Sequence, residues 1–298
     1  VTQIRIATRQ SPLALKQVEI FQQALEKTFP KQFSFEIIKI KTKGDKLRDV
    51  PLNEIGGKAL FVKEIEEALL ENRADVGVHS LKDMSTELPS ELVIGCVLPR
   101  EDPRDVWISR DHHTIFDLPS GSRVGTSSLR RASQVLHARP DLKVIPFRGN
   151  VGTRLTKIEM GEADATLLAH AGVKRLNMTL GKLLSVHDFL PAVSQGALSV
   201  ELRQHDADLL EIMKSINHKQ TEICVRAERE FLRTLDGSCR TPIAAYAIQQ
   251  GNHLHLDGLL ASEDGKKLVR MQDSGCLSDP EALGRRLALL VKERFETI

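Results

Sequence analysis

One pass of alternating strand and helix, a break, and a second pass of the same kind constrain this chain more than any other feature. Ile4-Arg5-Ile6-Ala7-Thr8 alternates as a strand, and Ser11-Pro12 opens a helix with serine as N-cap and proline in the first turn. Ala14, Val18, Phe21 and Leu25 mark the buried face of that helix. Phe35, Ile37 and Ile40 fall on a second strand, and Phe61, Ile65, Ala68 and Leu69 on a second helix. Residues 75–79 and 93–97 read as buried strands. Pro99-Arg100-Glu101-Asp102-Pro103-Arg104 reads as a hinge. Beyond it, strands at 106–108, 124–128, 144–147 and 165–168 interleave with helices from Leu129 and from Val151. This interleaving predicts α/β architecture. Residues 198–202 read as a strand that returns to the first sheet. After Thr221 come a helix (Ile223, Ala227, Phe231, Leu235), short strands at 243–248, 254–260 and 267–272, and a last helix opened by the capping-box pattern Ser278…Glu281. The expected architecture is two α/β domains of one design, residues 1–99 with 197–217 and residues 100–196. A small α+β domain follows at 218–298, with a three-stranded antiparallel sheet and helices.

Composition narrows the function classes. A net charge of +2 and 4% aromatics argue against a nucleic-acid partner. No apolar run approaches the ~18 residues of a membrane span. The four cysteines, Cys96, Cys224, Cys239 and Cys276, form no CxxC pair, which fits reduced thiols and a cytoplasmic location. The chain enters a strand directly, with no signal or transit peptide visible, although a processed organelle precursor would look the same. His253-Leu254-His255 reads as a solvated edge strand and His112-His113 as a loop, so no metal site is expected.

In open α/β sheets ligands bind beyond the carboxyl ends of the strands. This chain places there Arg9, Ser11, Ser80, Lys82, Asp83, the run Thr126-Ser127-Ser128-Leu129-Arg130-Arg131, Arg148, Arg154 and Arg175. Hydroxyls, helix N-terminal amides and two guanidiniums at 126–131 make an anion site. One such arginine is a surface charge; six at strand ends imply a ligand with several negative charges. The G-x-x-x-x-G-K-[ST] spacing of a P-loop is absent. Asp83, the lone acid among these cations, is placed either to stabilise a developing cation and move protons, or to form a salt bridge with Lys82 or an arginine. Leu235-Asp236-Gly237-Ser238-Cys239-Arg240-Thr241-Pro242 reads as a tight loop. A thiol beside Arg240 favours the nucleophilic thiolate, while a buried apolar filler is the plainer reading. The polar segment 42–58, with Gly56, Gly57 and Lys58, has the length of a functional or mobile loop.

Five segments taken together resemble the porphobilinogen deaminase (hydroxymethylbilane synthase) family. They are residues 5–14 (RIATRQSPLA), 78–83 (VHSLKD), 124–131 (VGTSSLRR), 148–154 (RGNVGTR) and the Cys239 loop. Each is weak alone, but they stand in the family's order along nearly the whole chain. The resemblance implies two periplasmic-binding-protein-like domains with a cleft between them, and a third carrying a dipyrromethane cofactor. That cofactor would be thioether-linked to Cys239 and made from the enzyme's own substrate. It implies deamination and head-to-tail joining of four porphobilinogen units through an azafulvenium cation, with release of a linear tetrapyrrole by water. Asp83 would be the catalytic acid. Ser80, Lys82, Thr126, Ser128, Arg130 and Arg131 would hold the cofactor, and Arg9, Ser11, Arg148, Arg154, Arg175 and Gln195 the substrate and growing chain. Residues 56–58 would belong to a mobile loop. The small-molecule substrate is the one partner implied, and the protein is expected to be a monomer.

Three sites depart from the family pattern. Met84-Ser85 replaces an apolar residue and proline, Ser238 a common glycine, and Ser194 another. Two other classes fit parts of the chain. A solute-binding protein shares the two-lobed plan but calls for a secretion signal and no cysteine-bearing third domain. A phosphometabolite transferase using 126–131 leaves Cys239 idle.

Overall fold

The computed structural model describes residues 2–42, 62–111, 114–237 and 241–298. The expectations placed on Gly56, Gly57, Lys58, His112, His113, Ser238 and Cys239 lie outside these residues.

The chain divides into two compact units. The first begins with β1 (Thr2–Arg9), α1 (Pro12–Thr28), β2 (Phe33–Ile40), α2 (Lys63–Leu70), β3 (Val76–Ser80) and β4 (Leu92–Val97). The second holds β5 (Asp105–Ser109), β6 (Arg123–Gly125), α3 (Leu129–Ala138), β7 (Lys143–Ile145), α4 (Val151–Glu159), β8 (Ala165–Ala169), α5 (His170–Arg175) and β9 (Lys182–Leu183). The chain then returns to the first unit as β10 (Leu198–Arg203) and α6 (Ala207–Ile216).

The two five-stranded sheets repeat one plan. The first runs β2-β1-β3-β10-β4 and the second β7-β6-β8-β5-β9. In each, the first three strands are parallel and the fourth is antiparallel to both neighbours. The parallel strands therefore deliver their carboxyl ends to one edge, where the loops of interest begin. Ser11 caps α1, its Oγ accepting from the Ala14 N–H at 3.2 Å, and Ala14, Val18, Phe21 and Leu25 are buried as the spacing requires. Val18, Phe21 and Leu25 pack with Ile4, Ile6, Val76 and Val200 in the first unit's core.

The C-terminal residues form α7 (Lys219–Thr234), β11 (Ile243–Gln250), β12 (His253–Ala261), β13 (Leu268–Cys276) and α8 (Pro280–Thr297). Three corrections arise here. β12 is the central strand of its sheet, not an edge, and His255 Nδ1 meets Ser274 Oγ at 2.7 Å. The N-cap of α8 is Asp279, whose carboxylate accepts from the Ala282 N–H at 3.0 Å, so Ser278 does not close a capping box. The strand expected at 124–128 stops at Gly125, because residues 126–128 turn the chain into α3.

The small sheet shares its unit with the second five-stranded sheet. The β12–β13 turn seats on α3: His137 Nδ1 meets Gly265 O at 2.9 Å. Gly265 has φ +70°, and a Cβ there would come within 2.5 Å of Ser133 O, so only glycine fits this approach. Arg270, paired with Asp257 at 2.6 Å, also donates to Val186 O.

Candidate functional site

In the first unit, β1 ends at Arg9 and β3 at Ser80, and one turn of 3-10 helix, Leu81–Asp83, follows. The turn is pinned by fully buried Leu81, whose N–H donates to Ala197 O at 3.0 Å. Buried Gln17 reaches from α1 and donates to Ser80 Oγ at 2.8 Å. A cavity of about 60 Å³ forms here, lined by Thr8, Arg9, Ser11, Gln17, His79, Ser80 and Asp83 among others. Four of the residues expected at the site, Arg9, Ser11, Ser80 and Asp83, are thus brought together. Lys82 lies partly buried in the same turn, and Asp83 is exposed.

In the second unit, the loop after β6 buries Thr126, whose Oγ1 accepts from the Ser128 N–H at 3.2 Å. Ser127 Oγ accepts from the Phe147 N–H at 2.9 Å, which ties this loop to the one bearing Arg148. Ser128 is the N-cap of α3, its backbone extended at φ −92° and its side chain making no capping bond.

Arg130 and Arg131 do not extend outward from α3. Both are buried and converge on Asp105, at 2.8 and 2.9 Å. Arg130 also donates to Leu190 O at 2.8 Å, and Gln195 donates to Asp105 Oδ1 at 2.8 Å and to Pro103 O at 2.7 Å. Burial works against the Asp105 carboxylate, but the two guanidiniums outweigh it and hold its pKa well below the usual 3.8. Burial also pulls the Arg130 pKa down. Two buried cations on one anion leave an excess positive charge.

That excess is felt nearby. Arg154 in α4 donates through Nε to Gly149 O at 2.9 Å. Its pKa falls to about 10, through burial first and then through repulsion from Arg131 and Arg148. Arg131, Arg148 and Arg154 are therefore one cationic cluster, while Arg175 sits partly buried at the end of α5. Among the described residues no group of three or more histidines, cysteines or acids is placed to hold a metal ion.

Sequence reasoning missed Asp105. Its signal was a lone acid opening the apolar strand Asp105-Val106-Trp107-Ile108, every residue of which is buried. Gln195, expected among the substrate-holding residues, donates to that same acid. Ser194 beside it takes φ +61°, which accounts for a preference for glycine there, and its buried Oγ has no hydrogen-bond partner. Strain of ~1–2 kcal/mol and an unmet hydroxyl of ~1–3 kcal/mol outweigh the ~0.5–1 kcal/mol that glycine's unfolded-state freedom costs. Ser194→Gly should therefore stabilise the protein by about 1 kcal/mol, read as a rise in the urea midpoint at unchanged m-value. Met84, another described departure, is buried and its Sδ accepts from Ser199 Oγ at 2.9 Å, so a packed thioether helps anchor the turn after Asp83.

Comparison with known proteins decides the family. Residues 4–211 match the family model of the porphobilinogen deaminase dipyromethane cofactor binding domain, and residues 222–293 that of the porphobilinogen deaminase C-terminal domain. The chain belongs to the porphobilinogen deaminase family. It is 49% identical over 302 residues to the porphobilinogen deaminase of Alkaliphilus metalliredigens, covering 99% of this chain and 95% of that one. It is 50% identical over 288 residues to that of Moorella thermoacetica, covering 96% and 92%. Among solved structures it is similar to a probable amino-acid ABC transporter extracellular-binding protein from Bacillus subtilis, at a TM-score of 0.45 and 16% identity, covering 72% and 90%.

Proposed function

We propose that the side chains at the carboxyl ends of the parallel strands in the two five-stranded sheets hold a polyanionic dipyrromethane, bonded to Cys239, and the porphobilinogen units joined to it. The chemistry is that of a porphobilinogen deaminase: four porphobilinogen units lose ammonia, are joined head to tail, and leave as the linear tetrapyrrole hydroxymethylbilane. The observation that carries the site assignment is the Arg131–Arg148–Arg154 cluster. Burial, with repulsion from Arg131 and Arg148 added to it, brings Arg154 down to about 10, which marks a site whose ligand should bring several carboxylates. The residues present fit that group. When bound, the dipyrromethane supplies the free pyrrole carbon to which the first unit is joined.

The chain's own residues do the rest. Lys82, Ser80, Thr126, Ser128, Arg130 and Arg131 hold the cofactor carboxylates, with Asp105 fixing the direction of the two arginines. Arg9, Ser11, Arg148, Arg154, Arg175 and Gln195 orient the incoming and growing acids. Asp83, exposed at the cavity, faces the cation formed when ammonia leaves. The division into residues 1–99 with 197–217, 100–196 and 218–298, and action as a cytoplasmic monomer, belong to the same reading. No described helix is long and apolar enough to cross a membrane.

Intact mass under denaturing conditions tests the anchor. Protein from cells that make porphobilinogen should exceed its sequence mass by two porphobilinogen units less two ammonias, and peptide mapping should place the excess on the Cys239 peptide. Cys239→Ala should have its bare sequence mass. An unmodified parent would sink the assignment.

A further inference from the structure

Three ionisable side chains lie behind the first unit's cavity, and none has a role in the reading above. His79 lines the cavity together with Asp83. Its Nε2 is 3.1 Å from Glu201 Oε2, and the two side chains are 4% and 0% exposed. In the β3–β10 ladder His79 opposes Ser199 and Glu201 opposes Gly77, so all four share one face of the sheet. Gly77 makes the contact possible: a Cβ there would come within 2.8 Å of His79 Nε2. The same Cβ would come within 2.8 Å of Ile65, which brings α2 onto this face, and Glu66, next to Ile65 and 8% exposed, joins the group. Its pKa is pushed up to about 7, by burial first and then by Glu201, with His79 opposing.

Among the described residues, the further charges felt by Glu66 are Glu67, which adds to its rise, and Lys63, which opposes it. On α2, Lys63 and Glu67 pair with each other at 3.9 Å on the exposed side, and Glu64 is the remaining acid of that helix. On β10, Arg203 is engaged with Leu69 O, Ala74 O and Asp206. β4 brings no ionisable carboxylate or amine. Arg9 and Asp83 line the cavity itself. Burial disfavours the fully ionised state of such a site, and Glu66 is the member whose proton can leave near pH 7.

We propose that Glu66, His79 and Glu201 form a proton store for the condensation, exchanging with the cavity through His79. The reaction calls for one. In each round a C–N bond breaks and its electron pair leaves on ammonia. A C–C bond forms, and a ring C–H then gives up its proton. That proton ends on ammonia as ammonium, so nothing is consumed, but it must be held between leaving carbon and reaching nitrogen. Glu66 and Glu201 are positioning residues that act through His79. This inference rests on the activity proposed above.

The test uses full-length, cofactor-loaded protein and porphobilinogen. The rate of first-adduct formation against pH, and the infrared band of a protonated buried carboxyl, are read in the parent, Glu66→Gln and His79→Gln. The parent should show a rate break near pH 7 and a carboxyl band that titrates with it and changes on adding substrate. Glu66→Gln should lose the break and the band, with a rate at least about tenfold lower at pH 7. His79→Gln should keep the band, but substrate should no longer alter it. Adducts in the parent with a break and band unmoved by Glu66→Gln would overturn the proton store alone. A parent that forms no adducts would overturn the activity reading with it. If His79→Gln does not fold, the comparison of parent with Glu66→Gln still decides.

Discussion

Asp83→Asn should lower turnover by ~10²–10⁴ while weakening substrate binding far less. The substitution keeps size and hydrogen bonding and removes one negative charge. A unit charge pair at ~4 Å in an effective dielectric of ~20 is worth about 4 kcal/mol. Spent on a cation that exists only as ammonia leaves, that is roughly a thousandfold in rate. Asp83 is exposed, and its turn is held by Leu81 and Met84 rather than by its own carboxylate, so the fold should tolerate the change. Steady-state turnover and thermal midpoint, measured together, check this. Turnover within about threefold of the parent would make Asp83 a structural partner of a nearby cation.

Asp105→Ala should be the most destabilising single change in the second unit. It leaves two buried guanidiniums without their shared anion, a loss of ~3–5 kcal/mol from a total of only ~5–15 kcal/mol. Gln195→Ala removes a donor from the same carboxylate without stranding a charge, and should cost only about 1 kcal/mol. The pH dependence has a definite sign. The Asp105 pKa is depressed on folding, so its contribution is fully present above the unfolded value, ordinarily 3.8, and is lost as pH falls below it toward the folded value. The parent should lose this contribution in that acid window, and Asp105→Asn, already without it, should show a shallower acid limb. Urea midpoints from neutral to acid pH measure both. Intact mass of the same variant reports whether misdirected Arg130 and Arg131 still permit cofactor loading.

Much of the fold was legible because burial in an α/β protein writes itself as period. Ala14, Val18, Phe21 and Leu25 announce one helix face, and the alternation of residues 198–202 announces the strand that returns to the first sheet. Pairing was not legible in the same way. Whether Arg130 points at a ligand or at an internal acid depends on which strand lies beside α3, and Asp105 is 25 residues away in sequence. The same blindness made β12 look like an edge, since a half-polar strand of a small sheet has the same alternation in the middle as at the rim. At the helix termini, Asp279 won over Ser278 because the cap is chosen by backbone direction at the turn, not by spacing to Glu281 alone. The cluster of Glu66, His79 and Glu201 was hidden for a further reason. Its three members come from three separate stretches, and only the β3–β10 register and the absent side chain of Gly77 bring the latter two into reach.

The position of β10 has a consequence for how the chain is made. It lies between β3 and β4 and is hydrogen-bonded to both, yet it begins at Leu198, long after β4 ends at Val97. On a ribosome adding about 5–20 residues per second, β3 and β4 wait on the order of 5–20 s for the strand that separates them. Throughout that interval each offers an open, apolar hydrogen-bonding edge to any other nascent chain. The five strands of the second unit's larger sheet, all contained in residues 105–183, have been synthesised before that strand appears. Slow or paused translation between residues 98 and 198 should therefore raise aggregation, and a chaperone that shields exposed strand edges should matter most within that span.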